Sequence, residues 1–279
     1  MAWRVHANPV VLAVGGIAAV VLELAEPRVR AGVWAHSNFR VDPLGRMRRT
    51  AQAALLTTFG PTAAAQAGIE AVARRHVHVN GTTPAGEPYS AQDPELADWV
   101  HVTAGYGFLT AYRRLLAPRL PPEVADRYWS EGRDVAEAYG SGDPPSTHAE
   151  ALAMIRAMKP RLGPDPVIDE FLDLVGRASP LGLPGRPVQA LLVQAALACL
   201  PPWAIGQLTL PDRGLRRAGA IAAARALAVT AGAAPLPIVR EAYDRVGAQP
   251  PGLRRSTGHR GEGDPSPLAP HAHGHPRGR

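Results

Sequence analysis

The sequence predicts an all-α protein, folded as a single helical domain over residues 1–247, and three observations carry that prediction. Apolar residues recur at spacings of three and four along most of the chain. Proline repeatedly stands where a helix would take its first turn, as at Asn8-Pro9, Asp42-Pro43 and Asp93-Pro94. Alternating runs of β-branched residues are absent, and the one hairpin dipeptide, Asn80-Gly81, follows a helical pattern.

The elements follow in order. Pro9 opens a helix over residues 10–24, and Pro27 starts another over residues 28–37. Asp42-Pro43 opens a third that runs to residue 58, where Gly60-Pro61 breaks it; residues 62–79 form the fourth. Residues 80–93 hold Gly81, Pro84, Gly86 and Pro88 and read as a loop. Asp93 then caps a long helix reaching residue 116. Further helices are expected over residues 121–139, from a Ser146 cap with Glu150 to residue 158, and over residues 166–176, 185–200, 202–208, 212–229 and 236–246. From residue 248 to 279 the chain is Gly, Pro, His and Arg with little apolar content, a composition expected to be disordered.

Composition narrows the function classes. A chain of 279 residues, 46% hydrophobic and 19% charged, is long enough for a sizeable core, and with only 5% aromatics that core is built of Ala, Val and Leu. Of the 30 basic residues only Lys159 is a lysine. The arginines are scattered rather than striped, and no recognition-helix motif appears, so nucleic acid is not an expected partner. Cys199 is the sole cysteine, which excludes a disulfide and a multi-cysteine metal site and fits an intracellular, cytoplasmic protein. The apolar run from Val10 to Leu22 ends at Glu23 after 13 residues, short of the roughly 20 that a membrane span needs. A buried helix or a shallow membrane contact is expected there, not a span.

Three segments hold residues suited to chemistry. In the fourth helix Ile69, Val72, His76 and Val79 fall on one face, so His76 points with the core and His78 points away. An inward histidine is either a satisfied core residue or a ligand. Arg46 and Thr50 are four apart and share a face, and Arg46, Arg48 and Arg49 form either a solvated basic helix start or an anion site. His101 shares a side with Ala97, Ala104, Gly105 and Phe108; the small residues Ala104, Gly105 and Gly107 mark close approach of a helix or a flat ligand. No phosphate loop, dinucleotide fingerprint, nucleophile elbow or zinc helix is present. His271, His273 and His275 alternate in the tail, which lacks the supporting shell of a working metal site.

Taken together, several motifs resemble a known family. They are Leu24-Ala25-x-Pro27, His36-Ser37-x-Phe39, Pro43-Leu44-Gly45-Arg46-x-x-Arg49-Thr50, Val72-x-x-x-His76-x-x-Val79-x-Gly81, Tyr89-Ser90-Ala91-x-Asp93-Pro94-Glu95 and Trp99-Val100-His101. Their order resembles the MpaB-type oxygenases and latex-clearing rubber oxygenases, densely over residues 8–116. The resemblance implies a globin-like core, a b-type haem, and oxidation of an apolar, isoprenoid- or lipid-like small molecule with dioxygen. It implies His76 as the iron ligand by its spacing to Val72 and Gly81; an alignment anchored on Arg75 would choose His78 instead. It further implies catalytic roles near the haem for Arg46, Thr50 and His101, and contacts from Arg46 or Arg49 to the haem propionates. The alternatives are a non-catalytic all-α binding or regulatory protein, or a family member without haem.

Overall fold

The computed structural model describes residues 1–179, 182–211 and 214–250. The fold is all-α, as expected, with a single two-stranded ribbon among the described residues. A five-residue helix that the periodicity does not reveal, α1 (Ala2–His6), comes first. It is followed by α2 (Pro9–Ala25), α3 (Pro27–His36), α4 (Pro43–Phe59) and α5 (Thr62–His76). The ribbon β1 (Asn80–Thr82) and β2 (Pro88–Ser90) lies inside the segment expected to be a loop. Next come α6 (Pro94–Leu115), α7 (Pro122–Ala138), α8 (His148–Met158) and α9 (Pro166–Arg177). The chain ends in α10 (Arg186–Ala198), α11 (Ala204–Gln207), α12 (Gly214–Gly232) and α13 (Pro237–Arg245).

The caps explain where these helices start. Asn8 accepts from the Val10 and Val11 amides, and its own amide donates to the Ala228 carbonyl at 2.8 Å, tying α2 to α12. Asp42, Asp93 and Asp165 cap helices whose first residue is proline. The cap of α8 is Thr147, not Ser146: the capping box needs its partner three residues after the cap, and Thr147–Glu150 has that spacing. The start expected at Asp212 and the tail from residue 251, with the alternating His271, His273 and His275, lie outside the described residues.

Two helices set the frame. α2 is buried along most of its length and crosses α6 antiparallel at very short range. A Cβ on Gly107 would stand 2.4 Å from the Gly15 carbonyl oxygen, and one on Gly15 would stand 2.7 Å from the Phe108 Cα. On another side of α6, a Cβ on Gly105 would meet the Trp129 ring of α7 at 2.5 Å. The small residues of α6 thus admit neighbouring helices.

At the end of α2 the chain turns by 110° into α3. Glu26, fully buried, makes the turn: it caps the Val29 amide at 2.8 Å and accepts from Arg28 Nε at 2.8 Å. Arg28, itself buried, reaches on to Glu95 at 3.0 Å on α6. Beside this turn Tyr89 of the ribbon is buried against Gly32, and Gly81 makes room for its hydroxyl. The ribbon is only three residues long on each side, too short for alternation to register in the sequence.

A buried polar chain joins α1, α4 and α7. Thr58 Oγ1 donates to the Ala54 carbonyl at 2.8 Å, so it accepts from His6 Nδ1–H at 2.9 Å. That leaves His6 Nε2 to accept from the Tyr128 hydroxyl at 3.2 Å. His6 is therefore neutral, and burial first, then the nearby N-terminal charge, lowers its pKa to about 4.

Two predictions follow from this frame. Gly107→Ala should force α2 off α6 and cost at least about 2 kcal/mol in urea unfolding, whereas Gly163→Ala, whose Cβ meets nothing within 4 Å, should change little. Between pH 6.5 and 4 the unfolded chain binds more protons than the folded one at His6, so stability should fall as pH falls through that window. The difference between wild type and His6→Gln, measured across it, should isolate a loss of about 2–3 kcal/mol.

Candidate functional site

The α4–α5 hairpin is fastened at its two ends and thinly packed between them. At its start Asp42 caps the Gly45 amide, and Arg40 pairs with Glu170 of α9 at 2.7 Å. At the far end of α4 Phe59 is buried with Val239 and Ala242, and Arg245 donates to its carbonyl. Phe59 is the sole buried residue of α4, and α5 has none. The face carrying Ile69, Val72, His76 and Val79 is half-buried, not buried as the periodicity suggests, because the hairpin does not seat on the core along its length. The helix also stops at His76, so the turn per residue that separates His76 from His78 does not extend to His78. His76 is half-buried and His78 exposed.

Facing this hairpin, α2 and α6 contribute Glu23 and Thr103. Thr103 Oγ1 lies 3.4 Å from Glu23 Oε1 and 3.0 Å from the carbonyls of Trp99 and Val100. Burial raises the Glu23 pKa to about 7, against the opposing pull of the Arg46 charge and the Thr103 hydroxyl. Near neutral pH Glu23 therefore exchanges a proton, and in its protonated form it donates to Thr103 Oγ1 while Thr103 donates to a backbone carbonyl.

Arg46 stands between the two walls. Its pKa is lowered by burial, held up in part by the Glu23 charge and lowered further by Arg49. His76 is lowered by burial and then by the Arg46 charge, which keeps its imidazole neutral. The Arg46 charge thus acts on Glu23 of α2 and on His76 of α5. Each of the three remains partly exposed, and burial is the largest influence on the pKa of each.

The other residues singled out by sequence are placed as follows. Thr50 is exposed; its hydroxyl accepts from the Arg46 guanidinium and donates to the Arg46 carbonyl at 3.0 Å, so it fixes the Arg46 rotamer. Arg49 is tied to Asp42 at 3.3 Å and Asn38 at 2.8 Å at the start of α4. His101 turns toward α7, edge-on to Trp129 at 6.0 Å and against Gly132, with its Nε2 buried and without a hydrogen-bond partner. Burial lowers its pKa to about 4. The structure thus brings Arg46, Thr50 and His76 together and packs His101 against a different helix. Sequence reasoning missed Glu23 and Thr103; the one available signal was a lone acid ending an apolar run.

Among the described residues no group of three or more His, Cys, Asp or Glu side chains is placed to hold a metal ion. Two surface hollows of about 440 and 540 Å³ lie at the opposite end of α2 and include none of these residues.

Residues 3–233 match the family model described as "ER-bound oxygenase mpaB/B'/Rubber oxygenase, catalytic domain". The chain belongs to this family. The match extends well past residue 116, so α7 to α12 belong to the MpaB/rubber oxygenase catalytic domain as much as the motif-rich first half does. No curated protein and no solved structure gives a significant match. Membership makes the chain an oxygenase catalytic domain, which implies a small-molecule substrate and dioxygen. Among the described residues no single helix is long and apolar enough to cross a membrane.

The Glu23 pKa carries a testable sign. Its folded value of about 7 exceeds its ordinary 4.5, so between these pH values the folded state binds more protons and stability falls as pH rises. Glu23→Gln should match wild type in stability at pH 4 and exceed it by about 2–3 kcal/mol at pH 8, as read by urea unfolding.

Proposed function

We propose that the recess between the α4–α5 hairpin and the α2–α6 pair holds a b-type haem, with His76 as the iron ligand, and that the protein oxidises an apolar isoprenoid- or lipid-like molecule with dioxygen. The observation that carries this reading is the trio on the two walls: a neutral, half-buried imidazole at His76, a guanidinium at Arg46, and a proton-exchanging carboxyl at Glu23. Family membership supports the oxygenase part.

The residues present fit the group. An iron-binding imidazole must be neutral, and burial with the Arg46 charge keeps His76 so. Ile69 and Val72, half-buried on the same side of α5, offer the apolar surface that a porphyrin face needs. Arg46 would meet a propionate, a pairing in which the planar guanidinium is well matched to a carboxylate. Thr50 would hold Arg46 in place for that contact. Arg49 would have to give up Asp42 and Asn38 to do the same, so Arg46 is the favoured partner.

When bound, haem supplies the activation of dioxygen, and the protein supplies orientation and the exclusion of water. Within this reading Glu23 holds or releases a proton at its carboxyl oxygens, with Thr103 as its hydrogen-bond partner. Its pKa of about 7 suits that task at neutral pH. His101 acts through the packing of α6 on α7 rather than at the reacting atoms, since its ring faces Trp129.

Titration of the purified protein with haemin, followed by the Soret band, tests the assignment. Wild type and His78→Ala should saturate at one haem, and His76→Ala should lose the band. Arg46→Ala should weaken haem binding about tenfold without unfolding the chain. Loss of the band in His78→Ala alone would move the ligand to His78. No band in wild type would leave the chain a haem-free member of the family.

A further inference from the structure

The α4–α5 hairpin carries a second face that the oxygenase reading does not use. Arg48 stands two residues past Arg46, and Arg74 two before His76, so each points about 200° around its helix from the residue named in the haem reading. Both are exposed, as is Arg75.

The register of the hairpin brings these arginines together. Leu56 packs on Gly68, where a Cβ would stand 3.0 Å from the Leu56 Cδ2, and the Arg46 charge acts on His76. Counting along α4 and back along α5 from either pair sets Arg48 across from residues 74–76. The Arg48 and Arg75 side chains have no hydrogen-bond or ion-pair partner among the described residues. Arg74 meets Glu70 at 4.0 Å, a contact between two exposed side chains that contributes little.

Little nearby offsets this charge. Residues 41–79 hold five arginines and two acids, and one of the acids, Asp42, is engaged by the Gly45 amide and Arg49. Residues 50–69 carry no charge, and Phe59 alone among them is buried. Two large apolar side chains border the cluster. Val77, 49% exposed, follows Arg75 by two residues. Val41, 87% exposed, sits in the turn that Arg49 ties down through Asn38 at 2.8 Å. Guanidiniums open to water hold a single anion weakly, but a surface bearing many anions attracts every member of the cluster. Exposed valines beside the charges suit the apolar layer beneath the headgroups of such a surface.

We propose that this outward face of the hairpin docks on an anionic phospholipid bilayer, with Arg48, Arg74 and Arg75 at the headgroups and Val41 and Val77 in the interface beneath them. The lipid contact does not rest on the haem reading. The two meet in one respect: the hairpin that touches the bilayer also carries His76, so an apolar substrate dissolved in the bilayer would lie close to it.

The test is flotation of the full chain with phosphatidylcholine vesicles, with and without about 30% phosphatidylserine. Binding should need the anionic lipid and should fall sharply between about 0.1 M and about 0.5 M salt. Each arginine at such a surface is worth about fivefold in partitioning, so the doubly substituted Arg48→Gln, Arg75→Gln protein should bind about thirtyfold more weakly. The Arg114→Gln, Arg119→Gln protein, with the same net charge but with its changes at the far end of α6, should bind like wild type. Cys199 is buried, so a polarity-sensitive thiol dye on Val77→Cys reports that position alone; its emission should shift to the blue when anionic vesicles are added. Haem-loaded and haem-free protein should bind vesicles alike, which separates this result from the Soret titration. Absence of vesicle binding, equal binding to neutral vesicles, equal losses in the two double variants, or no shift from the dye at position 77 would each overturn the proposal. So would binding to a DNA duplex through Arg48 and Arg75 in place of vesicles.

Discussion

The close crossing of α2 and α6 is the constraint on which the other elements depend. Gly15 and Gly107 let the two backbones meet with no side chain between them. Because the helices run antiparallel, this contact sets Glu23, two turns beyond Gly15, against Thr103, one turn before Gly107. A carboxyl placed there leaves water on one side and has a hydroxyl on the other. Its raised pKa is therefore a consequence of helix packing, and a larger residue at either glycine would shift both together.

The turn after α2 works on the same frame. Glu26 is buried without an unmet bond: it takes the Val29 amide and the Arg28 guanidinium, and Arg28 links onward to Glu95. Breaking one member of such a buried pair leaves a charge uncompensated, which costs more than the pair itself contributes. The motif at residues 24–28 is thus a hinge fixing the direction of α3, and with it the ribbon that receives the chain from His76. The Ala91 amide bonds to the Val79 carbonyl at 2.8 Å, so the end of α5 is pinned beside the start of α6. The hairpin is thus held at both ends, with its residues half-buried or exposed between them.

Much of this was legible in the sequence because it is local. Proline after Asn8, Asp42, Asp93 and Asp165 marks helix starts by chemistry that acts within four residues. The pairing of Arg46 with Thr50 follows from one helical turn. What could not be read is tertiary. Glu23 ends an apolar run and looks like the edge of a buried helix until α6 and α4 are placed around it. The partner of His101, Trp129, is 28 positions away, and the apolar spacing that put His101 with Ala104 and Phe108 gives no direction for the neighbouring helix. The half-buried state of the α5 face is of the same kind: periodicity finds the face, and only the fold decides how closely it is covered. The ribbon and α1 are simply too short for any period to show.

The central claim is that the α4–α5 hairpin and the α2–α6 pair are two walls of one cofactor recess. Hydrogen–deuterium exchange of the protein with and without haemin tests it most directly. α2 and α6, buried along much of their length, should be protected in both states, while amides of α4 and α5 should slow markedly when haem is added. Unchanged exchange in α4 and α5, with new protection at α12 and α13 instead, would contradict the account.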